Sequence, residues 1–368
     1  MKKQSTQGGA MKFSVIFCFI AILGIVFLIN ACSKSNKQTT PVNQTNEVVA
    51  NHKAAPVVQN TSLTQVVTVG DIRKSADGSY STVYFHENEE IFTVQDESVI
   101  ASLQNAYNSQ KTIKITYNPW SATVLSVTNT TAEEESTHNS RQIVNSPGIY
   151  QRMANNIDPE VLNTPSMAIL NETTPGLTNV VPDMATAQTI FDYISHQCCA
   201  IGGPILIDYC ISFQYCEDGC YARAHKMCWI INNTFHYGTH KIFSFSVGST
   251  GMLSNRLCVK AEKWKGCCVN WWYHVAPLVN INTPSGIKAY VFDPAMFDQP
   301  VLLATWLHAQ QNPACAVSPP CYPLVTSFNI QPTASYSPMG DTSHFDTDPT
   351  YSSTNSTLVG YAPLKTCP

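Results

Sequence analysis

Cysteine is distributed unevenly along the chain, and this placement limits the fold more than any other feature. Of 14 cysteines, Cys18 and Cys32 lie near the N-terminus, none lies between Cys32 and Cys198, and the other twelve lie from Cys198 to Cys367. In an oxidising compartment a cluster of this kind is a disulfide framework. The C-terminal half is therefore expected to be stapled and the half before it to stand on its core alone. If one of the twelve is a catalytic thiol, the odd remainder requires another cysteine that is unpaired or bound to another molecule.

The N-terminus is consistent with export. Lys2, Lys3 and Lys12 precede an apolar run from Phe13 to Ile29, and Asn30-Ala31-Cys32 follows, the pattern of a secretory signal. Leu28-Ile29 ahead of Ala31-Cys32 also matches a bacterial lipobox, in which Cys32 is lipidated and becomes the mature N-terminus. The expected location is outside the cytoplasm, either anchored through Cys32 at the periplasmic or cell surface, or secreted after ordinary cleavage. Hydrophobic residues make up 44% of the chain, enough for a core, and charged residues 12%. A net charge of −4 with no long basic run offers no footprint for nucleic acid or for an anionic membrane surface. Membrane contact is thereby limited to the signal segment or its lipid.

Residues 33–62 are rich in Asn, Gln, Thr and Val without a sustained period, the texture of a solvated tether. Residues 63–127 read as a small cysteine-free β-rich domain. Its strands are expected at 65–69, 81–85, 90–94, 112–117 and 122–127, with a helix over 98–109 carrying Val99, Leu103 and Ala106 on one face. Residues 128–180 are polar and carry four prolines, the composition of a long linker. The second domain spans 181–368. Asp183 caps a helix running to Cys198, residues 204–213 read as a strand, and a helix follows Cys220 as far as Asn232. Residues 269–281 and 287–292 form two strands joined through the turn chemistry of Thr283-Pro284-Ser285. Residues 305–311 read as a short helix, and beyond Val325 the sequence has little periodicity.

Cys220 stands where a turn hands over to a helix. There the unpaired amides and the positive end of the helix dipole favour the thiolate, the nucleophilic form; a disulfide half-cystine is the alternative at this point. A hairpin closing about the Thr283-Pro284 bond sets His274 opposite Asp293, so that the carboxylate orients the imidazole and leaves one ring nitrogen for a thiol. A core histidine and a strand terminator are the plainer readings of the two, and a one-residue slip in register separates them. His225, five positions after Cys220, lies about 140° round the helix from it and points elsewhere. Arg223 and Lys226 read as a solvated helical face, with lining of the surface beside the thiol as the alternative. Trp271, Trp272 and Tyr273 either wall a substrate groove or belong to the core. Cys216, Cys220, His225, Cys267 and Cys268 lack the repeated spacing of a structural zinc site, and no metal is expected.

These stretches resemble the bacterial protein-glutaminases. The matching residues are Val181-Pro182-Asp183, the block DGCYARAHKM from Asp218 to Met227, CCVNWWYHVA from Cys267 to Ala276, and DPAMF from Asp293 to Phe297. The resemblance implies an α+β catalytic domain like those of papain and the transglutaminases, with an antiparallel sheet and a helix-borne cysteine, preceded by a β-rich prosegment that covers the cleft. It assigns nucleophile, histidine and aspartate to Cys220, His274 and Asp293. It further implies hydrolysis of glutamine side-chain amides in proteins and peptides through a thioester, without a cofactor, after an activating protease has cut before Val181. The chain departs from the family pattern in its lipobox, in extra cysteines such as Cys216 and Cys228, and in its tail. The competing readings are a transglutaminase or cysteine protease with the same triad, and a disulfide-stapled surface module without catalysis.

Overall fold

Alternating apolar residues in the first third close a barrel rather than an open sheet. The computed structural model describes residues 62–75, 77–139, 144–145, 150–153, 177–199, 210–246, 255–261, 263, 266–315, 322–340 and 342–365, without the side chains of 144–145, 150–153 and 322. All lie in one unit, Gln44–Pro368. The signal segment with Cys32, and the tether as far as residue 61, fall outside the described residues.

Strands β1 (Leu63–Lys74), β2 (Ser81–Phe85) and β3 (Ile91–Val94), helix α1 (Glu97–Ser109), and strands β4 (Thr112–Asn118) and β5 (Thr123–Asn129) make this first part. The strands form a closed barrel in the order β1-β2-β3-β5-β4. Val67, Val83, Phe85, Phe92, Ile115 and Tyr117 fill it, and α1 lays Val99, Leu103 and Ala106 against them. Asp96 caps α1 by accepting from the Ser98 and Val99 amides at 2.8 and 3.2 Å. All five expected strands and the helix are present.

The stretch expected to be a plain linker carries structure of its own. It holds α2 (Ala132–Asn139), β6 (Val144–Asn145) and β7 (Tyr150–Met153). The two strands find partners far along the chain, as described below.

The remainder consists of α3 (Met184–Ser195), α4 (Cys220–Thr234), β8 (His240–Phe245), β9 (Asn255–Ala261), β10 (Cys267–Trp271), β11 (Tyr273–Thr283), β12 (Gly286–Val291), β13 (Val301–Leu302), α5 (Leu303–Ala309), β14 (Tyr322–Pro323), β15 (Ser327–Pro332), β16 (Ser335–Pro338), β17 (His344–Thr347) and α6 (Ser352–Tyr361). An antiparallel sheet in the order β13-β12-β11-β8-β15-β7 is its backbone. Smaller sheets follow the orders β10-β9-β14 and β16-β17-β6. Helix α4 buries Ala222, Ala224, Met227, Ile230 and Ile231 in one core with the inner residues of β8, β11 and β15. Each large apolar side chain so buried contributes roughly 1.5–3 kcal/mol. Among the described residues no helix is long and apolar enough to cross a membrane.

Several expectations are corrected. The strand expected over 269–281 is two strands broken at Trp272, because the Trp272 amide bonds outside the ladder, to Glu89 O at 3.1 Å. Of the strand expected over 204–213, residues 204–209 lie outside the described residues, and 210–213 hold an isolated bridge of Ile211 to Cys198. There the chain is held by the Cys199–Cys210 disulfide instead. Among the described residues beyond Val325, β15 pairs with β8 and α6 follows, partners that local periodicity does not reveal. A second disulfide joins Cys268 to Cys315, Cys267 is also disulfide-bonded, and Cys220 keeps its thiol.

Candidate active site

Cys220 is the first residue of α4, and the turn before it dictates a glycine. Gly219 has φ 90°, a left-handed conformation that side chains rarely adopt. A Cβ at this position would also stand 2.9 Å from the Tyr361 ring. The turn leaves the Cys220 amide unpaired by the helix, so it is available as a donor.

His274 sits near the start of β11. Its ring stacks on Trp271, with centroids 4.3 Å apart and planes 16° apart, and lies 5.4 Å from that of Trp306. Nε2 donates to Asp293 Oδ2 at 2.8 Å, and Trp306 Nε1 donates to the same oxygen at 2.9 Å. The partnership is as expected, although the register is not. Thr283 pairs with Gly286 and Leu278 with Val291, around a turn at Pro284-Ser285. Asp293 therefore falls level with Ala276, diagonal to His274, and a displacement of two residues keeps it on the same face. Burial works against the imidazolium, but the charges and hydrogen bonds of Asp293 and Glu89 together raise the His274 pKa. Asp293 is likewise disfavoured as an anion by burial, yet His274 and Trp306 bring its pKa below the ordinary carboxylate value.

The remaining ring nitrogen, Nδ1, faces a residue that sequence reasoning missed. Glu89, in the loop between β2 and β3, is completely buried, with Oε2 3.5 Å from His274 Nδ1 and accepting from the Cys220 amide at 3.2 Å. Its other oxygen accepts from Arg223 Nη2 at 3.2 Å. One nitrogen of His274, the Cys220 sulfur and a Glu89 oxygen all lie within 4.8 Å of one another. That spacing would also suit a metal ion; the oxygens of Glu89 are instead engaged by N–H donors. Burial raises the Glu89 pKa. Burial and the neighbouring Glu89 charge also push the Cys220 thiol well above its ordinary value, with Arg223 opposing them. Burial first, and then the Glu89 charge, oppose the thiolate expected from the helix terminus.

Arg223 is not on a solvated face. It is 2% exposed, and Nη1 donates to Tyr215 O and Asp218 O at 2.8 and 2.7 Å, bracing the turn that presents Cys220. Lys226 lies over the Trp229 ring at 4.8 Å, away from the thiol. His225 points away as expected, bonded to Lys241 Nζ at 2.7 Å and to Asp348 O at 3.2 Å. Trp271, Trp272 and Tyr273 are all buried. Trp271 braces His274 and donates to Cys216 O at 3.0 Å, Trp272 contacts the barrel loop, and Tyr273 packs between Phe243, Phe245 and Trp272. The Tyr273 hydroxyl is buried without a hydrogen-bond partner.

A thiol at a helix tip, an imidazole within reach and a carboxylate behind it, on a scaffold of mixed helix and sheet, are an arrangement that suits hydrolysis of an amide C–N bond. The glutaminase family model matches residues 187–310, the stretch that holds Cys220, His274 and Asp293. Among solved structures, pro-protein-glutaminase is 24% identical, with 82% of this chain and 93% of that one covered at a TM-score of 0.58. Its A47Q2 mutant gives 24%, 82%, 94% and 0.57 by the same measures. Protein-glutaminase from Chryseobacterium proteolyticum is 32% identical over 52% of this chain and 93% of its own, at a TM-score of 0.42. No curated protein matches. Over residues 187–310 the chain matches the glutaminase family, and its fold is similar to that of pro-protein-glutaminase.

Proposed function

We propose that this protein hydrolyses the side-chain amide of glutamine in proteins and peptides, with Cys220 as nucleophile, His274 as acid and base and Asp293 as the orienting carboxylate. The observation that carries this reading is the seat of Glu89. A side chain of the length of glutamine already places its terminal carbon among the Cys220 amide, the thiol and His274 Nδ1. With that place vacated, the thiolate adds to the carboxamide carbon, and the oxygen takes up negative charge beside the Cys220 N–H. His274 gives a proton to the nitrogen, the C–N bond breaks, and ammonia leaves a thioester. Water then loses a proton to His274 and attacks the thioester; the C–S bond breaks, giving glutamate and the free thiolate. Asp293 holds the ring throughout and stabilises its cationic form.

The helix-borne thiol facing a sheet-borne histidine supports reading the core as papain- and transglutaminase-like. In this account the barrel is a prosegment, spanning 63–127, whose loop stops the site until a protease cuts the connector and the barrel departs. Export, with Cys32 as a lipid anchor, is part of the proposal. The disulfides Cys199–Cys210 and Cys268–Cys315 favour an oxidising compartment.

The test is ammonia release from a glutamine-rich protein, using chain cut in the connector and freed of its barrel. Cys220→Ala is expected to remove all measurable release while leaving the melting temperature within a few degrees. Retained release would overturn the assignment. Incorporation of an added amine in place of ammonia loss would favour a transglutaminase.

A further inference from the structure

Among the described residues, one group of three side chains brings metal-ligand atoms together, and it spans the boundary between the barrel and the catalytic part. Cys220 starts α4, His274 lies in β11, and Glu89 comes from the loop between β2 and β3. All three are buried, with their ligand atoms within 4.8 Å of one another. His274 Nδ1 has no hydrogen-bond partner and faces Glu89 Oε2 at 3.5 Å. A nitrogen and an oxygen bound to the same tetrahedral zinc ion stand about 3.3 Å apart. These two atoms are therefore close to ligand spacing already.

The surroundings are those of a metal-bound histidine. The other ring nitrogen, Nε2, donates to Asp293 Oδ2 at 2.8 Å. That bond turns the lone pair of Nδ1 toward Glu89 and Cys220, and a carboxylate behind the ring is the usual support of a ligating imidazole. Glu89 Oε2 accepts from the Cys220 amide at 3.2 Å, which engages one lone pair and leaves another for a cation. Charge agrees with geometry. Glu89, the Cys220 thiolate and Asp293 together carry −3 and Arg223 carries +1, which leaves −2 among buried side chains. A divalent ion brings the group to neutrality.

We infer that Glu89, Cys220 and His274 form a zinc site that pins the barrel onto the catalytic part of the uncut protein. Thiolate, imidazole and carboxylate suit zinc, and are too soft and too poor in oxygen for calcium or magnesium. Water takes the fourth tetrahedral position. Binding forms Zn–S, Zn–N and Zn–O bonds and releases to solvent the thiol proton and any proton on Glu89. The ion occupies the sulfur and the ring nitrogen that amide hydrolysis needs, so it holds the protein dormant. Since Glu89 leaves with the barrel, the barrel-free protein keeps two of the three ligands. Zinc therefore favours the docked state, and barrel release and metal loss are linked. The pinning rests on the prosegment reading, whereas the binding of the ion does not depend on the reaction.

The experiment adds cobalt(II), a spectroscopic substitute for zinc, to the uncut full chain. It is expected to give the visible bands of a tetrahedral ion and a sulfur-to-metal band in the near ultraviolet, both removed by zinc. Cys220→Ala is expected to lose the sulfur band. Glu89→Ala is expected to bind zinc about tenfold more weakly or worse in competition with a chromophoric chelator. Zinc X-ray absorption of the unsubstituted protein needs no variant, and is expected to show one sulfur at about 2.3 Å with nitrogen and oxygen at about 2.0–2.1 Å. In chain cut in the connector, zinc is expected to slow barrel release on dilution about tenfold, and a chelator to restore it. A sulfur band that persists in Cys220→Ala, unchanged zinc affinity in Glu89→Ala, or a metal shell without sulfur would overturn the site. Equal release with and without zinc would overturn the pinning. None of these readouts uses ammonia, so zinc binding as expected in a protein that deamidates nothing once its barrel is gone sinks the deamidase reading alone.

Discussion

Asp293 has no contact with the sulfur or with the incoming amide in this account; it acts by holding Nε2 of His274. Asp293→Asn leaves the shape of the site but offers the ring a poorer and wrongly matched partner. Its kcat is expected to fall at least hundredfold with little change in KM, as read from steady-state ammonia release. Gly219 is a second residue with a single physical demand on it. Gly219→Ala forces a side chain to φ 90° and toward the Tyr361 ring, and is expected to cost about 1–3 kcal/mol of stability, measured as a lower denaturant midpoint. The meeting of three candidate residues was legible in sequence because each sits in a motif with its own chemistry: a thiol at a helix start, and a histidine and an aspartate across a hairpin. Arg223 was misread because position on a helix does not tell which face a later segment covers. Glu89 could not be found by such reasoning. Its acidic neighbour Glu87 looks like a turn residue and Glu90 like the start of a strand, and the hint, three glutamates in a short stretch that are all buried, exists only in three dimensions.

The loop between β2 and β3 acts as a single element in which several carboxyls are buried together. Burial raises Glu89 and, further, Glu90; burial and the Glu89 charge bring Glu217, on the facing turn, to about 8. Release of the barrel is expected to expose these acids, so that each binds its proton more tightly docked than released. Their contribution to docking is therefore complete below about pH 4.5 and is lost as pH rises toward 8. The affinity of the barrel for a chain cut in the connector is expected to weaken at least tenfold between pH 5 and pH 8, measured by the fraction of barrel that dissociates on dilution. Glu89→Ala tests the loop another way, by removing the anion beside the thiol. Alkylation of Cys220 in the uncut protein is expected to speed up at least tenfold at pH 7.5, counted by peptide mass. Most elements themselves could be read from period and capping. The break at Trp272 could not, because β-propensity runs unbroken through Val269 to Ile281 and only a distant carbonyl takes the Trp272 amide out of the ladder.

For the whole molecule, the barrel and the catalytic part are joined by more than the connector. Asp218 receives Asn88 and the Glu89 amide, Tyr117 Oη lies 3.1 Å from Tyr361 Oη, and the Tyr84 ring packs 4.9 Å from that of Trp272. Cutting the chain between them should leave the barrel docked. In a time course of limited proteolysis, ammonia release is expected to follow the disappearance of the barrel band rather than the first cut. The division into a cysteine-free β-rich part and a stapled part was legible from composition alone. Their meeting was not, since it depends on tail residues such as Tyr361 whose role comes from helix α6 folding back onto the site. The family resemblance supplied what spacing left open between a catalytic and a structural Cys220.

The central claim is that the Cys220 sulfur bonds to the terminal carbon of a glutamine-length side chain. A peptide carrying a diazomethyl ketone in place of the glutamine carboxamide tests this by intact and fragment mass on barrel-free protein. The account expects one adduct per chain, on Cys220, formed much more slowly in His274→Ala. An adduct on another residue, or no adduct with Cys220 still a free thiol, would contradict it.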